Sequence, residues 1–258
     1  MRNVEPRYPF NASVLRLLAA IALIAACTPP PPSPTARTST PSPTPAAETS
    51  APPSATPTAS ASGSPSAQPT IASEDRGDVD GDGKPDKVTL VTAWSETNPT
   101  PADSTVRVDL ATGKTLTLVL HDTFDPQVAL LADADGDHRD EVFVRVSQGA
   151  STEFWVIVAL AGEQLVTVRA SGAGEDFMLA VGGSVTHGDG FECRLITNGA
   201  SQLIVRSFEQ TNLTDTVYVW QGKTLVRSGS SVTQFREEMR NDPNFSAYYS
   251  ARCGQPTR

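Results

Sequence analysis

Two short stretches of this chain crowd carboxylates at every second position of a glycine-containing turn. Asp78-Val-Asp-Gly-Asp-Gly-Lys-Pro-Asp86 runs into the apolar segment 87–92. About 55 residues further on, Asp133-Ala-Asp-Gly-Asp-His-Arg-Asp-Glu141 runs into the segment 142–146. Carboxylates spaced in this way point at one spot and repel one another. A hard cation that takes oxygen ligands makes such crowding favourable, and the spacing points to calcium. In the first loop Asp78, Asp80 and Asp82 stand at positions 1, 3 and 5. Gly83 permits the sharp turn, Lys84 offers its carbonyl, and Asp86 stands at position 9. An EF-hand would need an acidic residue at position 12 and flanking helices, but position 12 is Thr89 in one loop and Val144 in the other. The segments that follow are β-branched or alternating, so they predict strands. Chemistry of this kind holds an ion rather than turning over a substrate, and the chain is expected not to be an enzyme.

These nine-residue strand-to-strand loops resemble the FG-GAP/VCBS repeats of integrin-like β-propellers, in which such a loop joins two strands of one blade. The resemblance covers residues 75–146. It implies one calcium ion held by Asp78, Asp80, Asp82, Asp86 and the Lys84 carbonyl. A second ion would be held by Asp133, Asp135, Asp137, Glu141 and the Arg139 carbonyl. The second loop departs from the family pattern at His138, where glycine is usual and left-handed backbone is often wanted. Acidic surface turns without metal are the alternative, since Asp and Gly favour turns in any case.

The elements that must position these loops are short apolar segments separated by turn signals. They include 105–110, 115–119, 128–131, 154–160, 165–169, 177–181, 191–195, 202–208, 216–220 and 224–227. Ala161-Gly-Glu163 and Gln221-Gly-Lys223 read as hairpin turns, and only the segment 234–240 has helical character. The expected fold is all-β, with about three four-stranded repeat units. The third unit would carry a worn loop at His187-Gly-Asp-Gly-Phe-Glu192, keeping only Asp189 and Glu192. Closed propellers have roughly four to eight blades. Three units therefore predict an open, partial propeller or a sandwich-like body, with a ring completed by oligomerisation as the alternative.

Other constellations are thin. Ser184 stands near His187 but lacks an orienting third group and an oxyanion hole in sequence. Asp103 and Asp109 read as surface acids, and Trp94, Trp155 and Trp220 as core. No nucleophile elbow, zinc-protease motif or phosphate-cradling loop occurs. Setting aside Glu5, Glu48 and the four arginines ahead of Glu74 leaves 27 acidic and 16 basic residues in the rest of the chain. That balance, without a basic stripe, excludes nucleic acid as a partner.

The N-terminus reads as a targeting segment. Arg2, Arg7 and Arg16 precede the apolar run Leu17–Ala25, which ends in Ile24-Ala-Ala-Cys27. The run is about half the roughly 20 residues that a membrane span needs. It resembles the bacterial lipoprotein signal, which implies a signal peptide over 1–26 and a lipid on Cys27; an ordinary secretory peptide or a short anchor are the alternatives. From 27 to 73 the chain is mostly Pro, Ser, Thr and Ala, a composition with nothing to bury. It predicts a disordered stalk of about 140 Å at most, similar to those of actinobacterial envelope lipoproteins. With Cys27 lipidated, Cys193 and Cys253 remain as a pair in an oxidising compartment, either bridged or as two buried thiols.

Taken together, the expectation is an extracytoplasmic β-repeat domain at 74–258, lipid-anchored to a bacterial membrane and stabilised by two calcium ions. It would act as a binding or scaffolding module with an envelope protein or glycan as partner. A sensor-like accessory lipoprotein and a carbohydrate- or cell-wall-active enzyme are the alternatives.

Overall fold

The computed structural model describes residues 68–97, 99–196 and 201–253. The expected signal peptide, the expected lipid site at Cys27 and the expected stalk as far as residue 67 lie outside the described residues. Within them the chain is all-β, in two sheets, neither of which closes into a barrel.

The first sheet is an antiparallel meander of β1 (Thr70–Gly77), β2 (Asp86–Thr92), β3 (Ala102–Asp109) and β4 (Thr115–Thr123). The second starts with β5 (Gln127–Ala132), β6 (Glu141–Gln148) and β7 (Thr152–Ala161). Strand β7 is long enough to serve two partners. Its C-terminal half pairs with β8 (Gln164–Thr167), and its N-terminal half pairs with β10 (Met178–Ser184). From there β11 (His187–Leu195), β12 (Ser201–Glu209), β13 (Asn212–Gln221) and β14 (Thr224–Gln234) extend the sheet antiparallel. Two short strands add parallel pairs: β9 (Arg169–Ala170) on β14, and β15 (Ala251–Arg252) on β11. Three successive meanders result: β1–β4, β5–β8 and β10–β14.

The middle meander lies between two cores. Alternate side chains of a strand leave opposite faces. On one face Val142, Val144, Val156, Val158 and Leu160 pack with Val88, Leu90, Val106 and Val108 of the first meander. On the other face Phe143, Trp155, Ile157 and Ala159 pack with Phe191, Leu203 and Leu225 of the third. Burial on both faces explains why residues 154–160 form a continuous apolar run instead of alternating. Phe143 stacks on Phe191 with ring centroids 5.4 Å apart, and Trp155 meets Phe191 edge-on at 5.7 Å.

Several elements differ from their sequence-based reading. Strand β1 begins at Thr70, so it takes in four residues whose composition matches the linker. Their side chains are mostly exposed, and the strand forms through its backbone ladder with β2. His187–Glu192 is not a worn loop but the body of β11. Gly188 and Gly190 lie flat under the 3₁₀ turn Phe245–Tyr249, where an added Cβ would collide with Tyr249 and with the Ala247 carbonyl. The glycines therefore serve close packing. The expected strand 165–169 is broken at Val168, which is fully buried. In the segment 234–240, read as helical, Gln234 ends β14 and a 3₁₀ turn, Glu237–Asn241, follows; a second 3₁₀ turn at Phe245–Tyr249 was not expected. Cys193 and Cys253 form a disulfide, with Cα atoms 4.7 Å apart, tying β11 to the end of the described chain. Among the described residues no helix is long and apolar enough to cross a membrane.

Candidate metal centres

The two acidic loops occupy equivalent places, between β1 and β2 and between β5 and β6. They share one hydrogen-bond pattern. In the first, Asp78 accepts from the backbone N–H groups of Gly81 and Gly83, both at 2.9 Å. In the second, Asp133 accepts from Gly136 at 2.7 Å and His138 at 3.1 Å. Asp80 accepts from Asp82 N–H at 3.2 Å, and Asp135 from Asp137 N–H at 3.1 Å. Asp82 accepts from Lys84 N–H at 2.8 Å, and Asp137 from Arg139 N–H at 3.0 Å. The ninth residue closes each loop. Asp86 accepts from Val79 N–H and Glu141 from Ala134 N–H, both at 2.9 Å. Such local bonds hold the carboxylates in a fixed array without help from a helix.

Each array converges. Asp78, Asp80 and Asp86 each bring a carboxylate oxygen within 4.8 Å of the others, and so do Asp133, Asp135 and Glu141. Asp82 and Asp137 complete the loops but stand outside these triads. Asp86 and Glu141 are buried, whereas Lys84 and Arg139 enter the loop pattern through their backbone N–H groups. Left-handed backbone appears where the turns require it: φ is 82° at Gly83 and 68° at His138, so the histidine adopts the conformation that glycine favours.

The loops also touch each other. Asp140, which the sequence reading left without a role, accepts from Asp78 N–H at 2.9 Å while its own N–H donates to the Asp78 carbonyl at 2.8 Å. Burial raises the Asp140 carboxyl above its ordinary value.

Electrostatics separate the two arrays. In the first, burial pushes Asp80 up, and the charges of Asp86, Asp82 and Asp78 add to the rise. Among the described residues Asp78, Asp80 and Asp86 form no ion pair, and Lys84 reaches only Asp82, at 3.3 Å. A divalent cation there would replace mutual repulsion by attraction, so the oxygen-only donor set fits calcium. In the second array a protein cation is already present. The Lys223 ammonium lies 2.6 Å from Asp135, 2.9 Å from Asp137 and 2.9 Å from Glu141. Burial and the Asp135 charge push Glu141 up to about 7. Burial works against the Lys223 charge, but the Asp135 hydrogen bond and the Glu141 charge prevail and raise it. Lys223 sits in the β13–β14 turn, more than 80 residues from its partners, and nothing local in the sequence marks it.

The remaining candidates do not assemble into a catalytic set. Ser184 and His187 face each other across the β10–β11 hairpin, and His187 Nε2 lies 2.6 Å from Asp189. The Ser184 hydroxyl, however, accepts from Thr186 N–H at 3.4 Å, with no bond to His187 among the described residues. Asp109 is held by Arg107 at 2.8 Å and Asp103 by exposed His121 at 3.1 Å, so they form no free pair. Trp155 is buried, while Trp94 and Trp220 are half-buried.

No family model and no curated protein matches this chain. Among solved structures, a Bacillus licheniformis rhamnogalacturonan lyase, PL11, is similar at 14% identity with a TM-score of 0.36, covering 70% of this chain and 36% of that one. The chain thus spans about a third of the lyase's length, and a likeness of that degree carries no argument about activity.

Proposed function

We propose that this chain is a calcium-stabilised β-repeat lipoprotein of the FG-GAP/VCBS kind. It is held outside a bacterial cell membrane by lipid on Cys27 and a long stalk, and it binds or scaffolds a protein or glycan of the cell envelope. The observation that carries the reading is the repeated loop: the same carboxylate spacing, hydrogen-bond pattern and strand-to-strand position in two successive meanders. Calcium, when bound, supplies a compact positive centre. Asp78, Asp80 and Asp86 would hold it, and the backbone bonds to Asp78 and Asp86 orient those side chains beforehand. A loop fixed in this way stiffens the start of the first meander and, through Asp140, its contact with the second. Most acidic side chains of the loops are committed to backbone donors, which suits a structural ion and a rigid binding body better than turnover.

The anchoring and the partner are tested on the full-length chain in a bacterial host. Detergent-phase partitioning that is lost in Cys27→Ala is expected, followed by calcium-dependent cross-linking to one envelope component. A chain that stays in the aqueous phase whether or not Cys27 is present would overturn the anchor. Cross-links unchanged by chelator would overturn the link between the ion and binding.

A further inference from the structure

The two loops repeat in backbone but not in what faces them. Lys223 projects from the turn that joins β13 to β14 and reaches the second loop with its side chain only 14% exposed. Its ammonium has three N–H donors. Three acceptors meet them, one each from Asp135, Asp137 and Glu141. The turn is held firmly: Leu225 is fully buried, and Thr224 and Leu225 pair with β9. The third meander also presses on this loop at Gly136, where an added Cβ would collide with Ser201. The first loop has a lysine of its own, Lys84, but that side chain is 68% exposed and reaches only Asp82.

We infer that Lys223 is the resident cation of the second loop, so that the domain takes one divalent ion, in the first loop, and uses the second as a metal-independent latch. The geometry excludes sharing. Calcium needs oxygens at about 2.3–2.6 Å. On Asp135 and on Glu141 one oxygen already accepts a backbone N–H, and the other is the one that Lys223 contacts. An ion could enter only by expelling a largely buried ammonium from three carboxylates. An ammonium imposes no coordination number and its three N–H donors match the three acceptors one for one, so the loop keeps its shape without metal. The latch joins residues more than 80 apart and fastens the third meander to the second. Calcium would then govern only the junction of the first two meanders.

The ion count rests on the calcium reading of the first loop, whereas the latch does not, and two measurements separate them. Equilibrium dialysis of the full-length chain against calcium should give one ion per chain for the wild type, none for Asp80→Asn, and two for Lys223→Met. Two ions in the wild type, or a Lys223→Met chain that still binds one, would overturn the inference. The second measurement is a double-mutant cycle of thermal unfolding in excess chelator. Lys223→Met and Asp135→Asn should each lower Tm, and the double variant should lose less than their sum. Additive losses, or a Lys223→Met Tm equal to the wild type, would overturn the latch. A wild type that binds no calcium together with a non-additive cycle would sink the calcium reading and leave the latch standing.

Discussion

At the scale of single residues, equivalent positions in the two loops carry different side chains on the same backbone. His138 has φ of 68° where its counterpart Gly83 has 82°. A side chain in left-handed backbone costs about 1–2 kcal/mol relative to glycine. The His138 ring is exposed and its Nδ1 lies 3.8 Å from Asp133, a contact that returns little of this. Changing His138→Gly is therefore expected to stabilise the protein by about 1 kcal/mol in urea unfolding, the backbone relief being partly offset by a looser unfolded chain. Glu192 allows a pH prediction with a defined sign. Burial raises its carboxyl, but the Arg206 guanidinium 2.7 Å away and the hydrogen bonds from Arg194 outweigh that and hold it below its ordinary 4.5. A folded value below the unfolded one contributes stability that is present above pH 4.5 and lost as pH falls through the folded value. Acid titration of stability should thus be shallower in Glu192→Gln than in the wild type.

Individual strands show how local pattern and tertiary contact divide the work. Strands β6 and β7 were legible because burial on both faces writes a long apolar run into the sequence. The acidic loops were legible because the bonds within each loop are local, spanning two to seven residues. Strand β1 was not, since Thr70–Ser73 buries almost nothing and gains order from the β2 ladder. Strand β11 was misread for the opposite reason. Its glycines look like a turn, but they are spaces left for a 3₁₀ segment more than 50 residues away. Lys223 was equally silent, because a lysine in a hairpin turn looks like any other until the fold brings three carboxylates to it. The strand-level prediction concerns Phe143, which is fully buried on β6 and stacked on Phe191. Truncation in Phe143→Ala should cost about 3–5 kcal/mol by the usual cavity penalty. That loss should appear in calcium and in chelator alike, unlike a change in the first loop.

For the molecule as a whole, the middle meander shares one core with the first and another with the third, and each junction has its own staple. At the first junction Asp140 ties the two loops beside the candidate calcium ligands. At the second, Lys223 spans from the third meander to the second loop. Within the third, the Cys193–Cys253 disulfide closes a loop of 60 residues, worth up to about 4 kcal/mol on a chain-entropy basis. The formal net charge of −9 places the burden of neutralisation on such centres. The most direct measurement is thermal unfolding of the full-length chain in 1 mM calcium against excess chelator, for the wild type and Asp80→Ala. A single site with a dissociation constant near 10⁻⁴ M should contribute about 1.4 kcal/mol, a shift of roughly 3–6 °C. The account predicts that shift in the wild type and its loss in Asp80→Ala. Equal midpoints in calcium and chelator for the wild type would contradict it, leaving the first loop an acidic turn that holds no ion.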